Sequence, residues 1–151
     1  MPRRVYTAEV TIDATTEQVW AVLRDVESYG EWNPFTPECR TTLEVGTPVD
    51  MRVRMAKLGF SVQQRETVRA VRAPHQIVWG MKMLGGLIRA EREQTLTALA
   101  EGRTRYRTVD VIEGPLGPLV YLVFGPSIQA GFDGVAAALE QRVMGQHPRE
   151  R

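Results

Sequence analysis

Seven polar residues recur at every second position in three segments of this chain: Gln64 and Glu66, Arg92 and Gln94, and Tyr106, Thr108 and Asp110. If Leu96 points inward, the period of a strand carries Gln94 and Arg92 to the same side, and Tyr106, Thr108 and Asp110 share one side of the next segment. An arginine taken out of water needs a partner, so Arg92 is expected to pair with Asp110 or Glu66. Its planar fork suits a ligand carboxylate or phenolate, with Tyr106 and Gln94 as orienting hydrogen-bond groups. The alternative is a bulge that shifts the register and leaves these side chains solvated.

Other chemistry is poorly represented. No glycine-rich phosphate loop precedes a lysine, and no GxGxxG follows a strand pattern. His75 and His147 are too far apart for a helical metal motif, so no metal or cofactor is expected. Cys39 lies just after Pro37, in what reads as an exposed approach to a strand, with no histidine beside it in sequence to activate a thiolate. Nothing around Ser28, Ser61 or Ser127 resembles a nucleophile elbow.

The elements that must position the polar set are legible from periodicity. Tyr6, Ala8, Val10 and Ile12 alternate with polar residues and predict a strand. Thr15 or Thr16 then caps a helix with the stripe Val19, Trp20, Val22 and Leu23, ending near Asp25, and Ser28 to Pro37 makes a turn or a second short helix. Alternation resumes through Val49 to Met55, Val62 to Arg69 and Ile77 to Met83. A further hairpin follows, Ala90 to Leu99 and Arg103 to Ile112, around Glu101-Gly102. These make six or seven antiparallel strands. From near Pro118 the period changes: Phe124, Ile128, Phe132, Val135, Leu139 and Val143 are three or four apart, the stripe of a long amphipathic helix.

A curved sheet has a concave face that this helix must cover, and volume left between them would form a ligand cavity. Its expected wall is Trp32, Phe35, Met51, Met55, Phe60, Trp79, Met81, Met83, Phe124, Ile128 and Phe132, with Gln94 and Thr108 as polar contacts; the alternative for each apolar member is ordinary core. Methionine tolerates variable shapes and tryptophan offers a flat face. The Leu139 end of the helix is expected to be densely packed, and the end containing Ile128 and Phe132 to border empty volume.

Length and composition agree with one globular domain. The chain has 151 residues, 43% hydrophobic and 25% charged, with a formal net charge of +1. Residues 1–147 are expected to form a single unit and 148–151 a polar tail. The near-neutral charge gives no field for nucleic acid. Arg52, Arg54, Arg65, Arg69, Arg105 and Arg107 fall on outward faces interleaved with acids, which reads as a solvated sheet face. Lysine occurs only at Lys57 and Lys82. A lone cysteine, no apolar leader and no uninterrupted apolar run of about 18 residues lead to a cytoplasmic expectation without stable membrane insertion. The oligomeric state is left open.

The run Val10-Thr11-Ile12-Asp13-Ala14-Thr15-Thr16-Glu17-Gln18-Val19-Trp20, then Asp25, Tyr29 and Trp32-Asn33-Pro34-Phe35, resembles the START-like superfamily, in particular its bacterial polyketide cyclase/dehydrase and lipid-transport (SRPBCC) members. Glu101-Gly102-Arg103-Thr104-Arg105-Tyr106, followed by Asp110 and Gly114-Pro115-Leu116, is similar to that family's late hairpin. The resemblance implies an α+β helix-grip fold, a curved six- to seven-stranded antiparallel sheet around a long C-terminal helix, with two short helices after the first strand. It implies binding or carriage of a small hydrophobic molecule of lipid, polyketide or aromatic type. It also permits a polyketide aromatase/cyclase or dehydratase, in which Arg92 would bind an enolate oxygen and Tyr106 with Asp110 or Glu66 would move protons. A regulator that binds a protein partner through the sheet is the remaining reading. The quoted motifs are structural and select no reaction.

Overall fold

The structure, a computed structural model, describes residues 3–147. The tail expected at 148–151 lies outside the described residues. Seven strands form one antiparallel sheet: β1 (Arg3–Ile12), β2 (Glu38–Arg40), β3 (Pro48–Met55), β4 (Phe60–Arg72), β5 (Gln76–Met83), β6 (Ile88–Ala98) and β7 (Thr104–Glu113). Their spatial order is β1-β7-β6-β5-β4-β3-β2, so β2 to β7 meander and β1 closes on the last of them. Helix α1 (Thr16–Arg24) and a short 3-10 helix (Val26–Glu31) follow β1, and α2 (Gly117–Gln146) ends the described chain. This is the helix-grip arrangement.

Local chemistry explains the boundaries. Thr15 accepts from the Gln18 amide while the Gln18 side chain accepts from the Thr15 amide, a reciprocal cap that satisfies two donors at the start of α1. In β6 and β7 the register sets Arg92 opposite Asp110, Gln94 opposite Thr108 and Leu96 opposite Tyr106, so all six share the concave face. The one shift in pairing falls in β4 between Val68 and Ala70, beyond Gln64 and Glu66, which stay on the inner face.

Helix α2 packs against β1, β3, β7 and α1. Phe132, Val135, Leu139 and Val143 are fully buried on its inner stripe, where it closes the core with Ile12, Val19 and Leu23. By length and composition α2 is apolar enough to cross a bilayer, yet in this fold its inner face lies on the sheet. The loop holding Trp32-Asn33-Pro34-Phe35 clamps its middle. Asn33 Oδ1 accepts from the amides of Phe35 and Thr36 at 3.0 and 2.9 Å, fixing a turn that drives the Phe35 ring against Gly131. A β-carbon at 131 would sit 2.0 Å from that ring, so only glycine admits this approach.

Cys39 corrects one expectation. It is buried in β2 opposite Met51, and burial pushes its thiol up to about 12, which makes it inert as a nucleophile at neutral pH. The outer arginines form exposed pairs, including Arg65 with Asp50 at 2.6 Å, Arg52 with Glu38 at 3.2 Å, and Arg105 and Arg107 with Glu9. Such solvated pairs contribute little stability, but they cancel the basic strip as a field.

Candidate functional site

A cavity of about 180 Å³ lies between the first half of α2 and the sheet. The strands from β3 onward contribute alternate residues: Met51, Val53 and Met55 from β3, Val62, Gln64 and Glu66 from β4, Trp79, Met81 and Met83 from β5, and Ala90 and Arg92 from β6. Asp110 and Ile112 of β7, Val120, Phe124 and Ile128 of α2, and Phe35 from the clamping loop complete it with Ile88. Larger hollows exist on the outside, such as one bordered by Glu38, Arg40, Asp50 and Arg65. Those are open and lined by solvated charge, whereas small-ligand sites are enclosed and mainly apolar.

The polar residues divide into two sets. Arg92 is buried and lies flat over Phe132, its guanidinium carbon 4.6 Å from the ring centroid. Arg92 Nε donates to Thr108 Oγ1 at 2.9 Å, and Nη2 reaches Gln94 Oε1 at 3.4 Å and the Tyr106 hydroxyl at 3.5 Å. Tyr106 in turn donates to Gln94 Oε1 at 2.6 Å. The expected ion pair with Asp110 or Glu66 is therefore replaced. Although Asp110 stands directly opposite in the register, the arginine swings toward the next residues of β7, where two acceptors and an aromatic face meet it together.

Glu66 and Asp110 form the second set. Among the described residues neither carboxyl has a hydrogen-bond or ion-pair partner, and both border the cavity. Burial pushes Glu66 up to about 8, reinforced by the neighbouring Asp110 charge and opposed by Arg92 and Arg69. Burial likewise raises Asp110 to about 6, opposed by Arg92. At neutral pH Glu66 is thus an O–H donor and Asp110 mainly an acceptor. Two carboxyls on one cavity wall with separated proton affinities suit hydrogen bonding to a carbonyl and a hydroxyl of the same ligand.

The structure brings together Phe35, Met51, Met55, Trp79, Met81, Met83, Phe124 and Ile128 with Glu66, Arg92 and Asp110. Other expected wall residues sit elsewhere. Gln94, Thr108 and Tyr106 lie behind Arg92, fully buried and turned toward one another. Phe132 is the floor beneath Arg92, in edge contact with Phe35 at 5.2 Å. Trp32, half-buried just after the 3-10 helix, packs edge-on against Tyr29 at 5.2 Å and is not part of the cavity lining. Phe60, 49% exposed, stands at the rim against Phe124. Ile88, Ile112 and Val120 were missed as wall residues, as were Val53, Val62 and Ala90. Strand alternation from Ala90 and Asp110 contained the first two, and the four-residue step back from Phe124 along the helix gives Val120.

Residues 3–143 match the family model described as polyketide cyclase / dehydrase and lipid transport. No curated protein matches the chain. Among solved structures, TTHA0849 from Thermus thermophilus is 18% identical with a TM-score of 0.74, covering 95% of this chain and 99% of its own. A START superfamily protein from Mycobacterium smegmatis is 22% identical with a TM-score of 0.70, over 94% of this chain and 98% of its own. A Thalictrum norcoclaurine synthase point mutant, in complex with a transition-state analogue, is 15% identical with a TM-score of 0.70 over 96% of each chain. At these identities the likeness is one of fold. With the family model spanning nearly its whole length, the chain belongs to the polyketide cyclase / dehydrase and lipid transport family, and its fold is the helix grip.

Proposed function

We infer that the protein encloses a small, mainly apolar molecule carrying one or two oxygen groups. The observation that carries this reading is a cavity of about 180 Å³ with apolar walls and two unpartnered carboxyls on its lining. A dry cavity of about 150 Å³ holds benzene, so the volume fits a compact ring rather than a long acyl chain. Four methionines in the wall let related shapes repack against it. Neutral Glu66 would donate to a ligand carbonyl and Asp110 would accept from a hydroxyl, while the Arg92 Nη1 group, with no acceptor among the described residues, adds a donor for an anionic oxygen.

Displacement of a fluorescent apolar probe tests this. Small phenols and cyclic ketones should compete, and Ala90→Phe, which projects a ring into the cavity, should abolish probe binding while the protein stays folded. Equal probe binding by Ala90→Phe would remove the cavity as the site.

The second reading is cyclisation or dehydration of a polyketone, supported by the separated proton affinities of Glu66 and Asp110. Glu66 would deliver a proton to a leaving or carbonyl oxygen and Asp110 would take one from carbon. Tyr106 has no part in it, being closed off behind Arg92. Turnover of an aromatic-forming substrate that is lost in both Glu66→Gln and Asp110→Asn supports it; turnover surviving both rejects these roles.

A further inference from the structure

The outer surface is apolar at one end only. Among the described residues ten large hydrophobic side chains are exposed, and eight of them fall in three short segments that meet around the open end of the cavity. The β3–β4 turn contributes Leu58 and Phe60, and the β5–β6 tip contributes Met83, Leu84 and Leu87. The first turns of α2 contribute Leu119, Leu122 and Val123, with Leu122 80% exposed.

Contacts hold the three together. The Lys57 amide donates to Ser127 Oγ of α2 at 3.0 Å, and Phe60 meets Phe124 edge-on at 6.5 Å. The Leu116 amide donates to the Leu87 carbonyl at 3.1 Å. From Gly114 to Phe132 there is no charged residue, so the first half of α2 has an apolar outer face as well as an apolar inner one. A helix apolar all round is normally covered on both sides. Here the inner side meets the cavity and, among the described residues, nothing covers the outer.

Cations outnumber acids around this end. Both lysines of the chain are here, Lys57 beside Leu58 and Lys82 beside Met83, and among the described residues neither has an ion-pair partner. Arg54 flanks the first turn, Arg89 stands opposite Lys82, and Arg4 lies over the Tyr121 ring of α2 at 5.1 Å. Three acids share the outer hollow with Lys82 and Arg89: Glu113, opposite Arg89 and Arg3, Glu91, paired with Arg69, and Glu93, bonded to Gln76. Apolar side chains that penetrate, ringed by long cations whose heads reach past them, are the pattern of a surface that rests in the headgroup region of an anionic bilayer.

We propose that this rim docks on anionic lipid surfaces, placing the mouth of the cavity against the bilayer. The partner is the lipid surface itself, since an acidic protein would account for the cations but not for eight exposed hydrophobics. The docking goes beyond the ligand reading and stands independently of what the cavity holds.

Sedimentation with sucrose-loaded vesicles tests it. The protein should pellet with phosphatidylcholine/phosphatidylglycerol vesicles, less with phosphatidylcholine alone, and less in high salt. Lys57→Glu with Lys82→Glu should reduce partition by about tenfold or more, and Leu119→Ser with Leu122→Ser by a similar factor. None of the four lines the cavity, so melting temperature and probe binding in solution should be retained, which separates failure of docking from failure of the ligand reading. No pelleting with the anionic vesicles overturns the proposal, as does pelleting that both double variants leave unchanged. Self-association abolished by Leu119→Ser with Leu122→Ser, in place of vesicle binding, would assign the face to a second copy. Salt-sensitive capture of an acyl carrier protein without vesicle binding would assign it to that partner, and either result rejects lipid docking.

Discussion

The two polar sets beside the cavity lie on the same face of the sheet and respond to burial in opposite ways. Arg92 Nε and Nη2, Thr108, Gln94 and Tyr106 are hydrogen-bonded within the set over the Phe132 ring, which leaves Arg92 Nη1 as its one group turned to a ligand. Glu66 on β4 and Asp110 on β7 have no such partners among the described residues and shift their proton affinities instead. A closed network rigidifies a wall, whereas an unpartnered buried group is a free-energy deficit that a ligand can relieve. The closed set is thus scaffold and the open set is the polar part of the site.

The comparison breaks most visibly at the floor of the closed set. Phe132→Ala removes a fully buried ring that supports both Phe35 and the Arg92 guanidinium, and should cost about 3–5 kcal/mol by chemical denaturation. This revises the expectation that Phe132 borders empty volume. Leu139→Ala, farther along the same stripe and fully buried, should cost about 2–5 kcal/mol. A loss at 132 much smaller than at 139 would mean that the cavity reaches under Arg92 and that the set is not closed.

The open set predicts a pH dependence of definite sign. Both carboxyls have proton affinities raised by folding, so their neutral forms favour the native state at low pH, and that contribution is lost as pH rises through about 6 for Asp110 and about 8 for Glu66. Glu66→Gln mimics the neutral acid. Its melting temperature should match the wild type near pH 5 and exceed it near pH 9, by on the order of 3 kcal/mol in stability. Parallel melting curves across that range would show that Glu66 is solvated. Ile128→Ala, on the cavity wall, should cost about 1–2 kcal/mol, below the usual core value because one side already borders free volume, and should change probe affinity. A full core-sized loss with unchanged affinity would mean that the wall is solid there.

Much of this architecture was legible because burial on one face imprints a period. Met51 and Met55, Trp79 and Met81, and Arg92 all follow from alternation in strands solvated on the other side, and Ile128 follows from the helical stripe. What alternation cannot encode is how far a side chain reaches and in which direction. Arg92 had four polar candidates within reach of its inner face, and the choice was made by its rotamer and by the arrival of the Phe132 ring on α2, a contact distant in sequence. Trp32 caps the end of a 3-10 helix, where neither period applies. Phe60 has the right parity but sits where β4 begins, past the edge of the helix that would have covered it. Cys39 was misplaced because a three-residue edge strand is too short to show alternation.

The smallest effect tests the division between the sets most sharply. Tyr106→Phe deletes one hydroxyl, keeps the fully buried ring, and leaves Gln94 Oε1 with the longer of its two donors, Arg92 Nη2 at 3.4 Å. Losing a net hydrogen bond of this kind should cost about 1 kcal/mol. Because Arg92 keeps its 2.9 Å bond to Thr108 and its seat on Phe132, the guanidinium should hold its position and probe affinity should stay the same. In the catalytic reading turnover should also be retained, since a hydroxyl turned away from the cavity can neither donate to nor accept from a substrate. A fall in affinity or turnover larger than the change in stability would show that Tyr106 reaches the ligand and that the closed set opens when the site is filled.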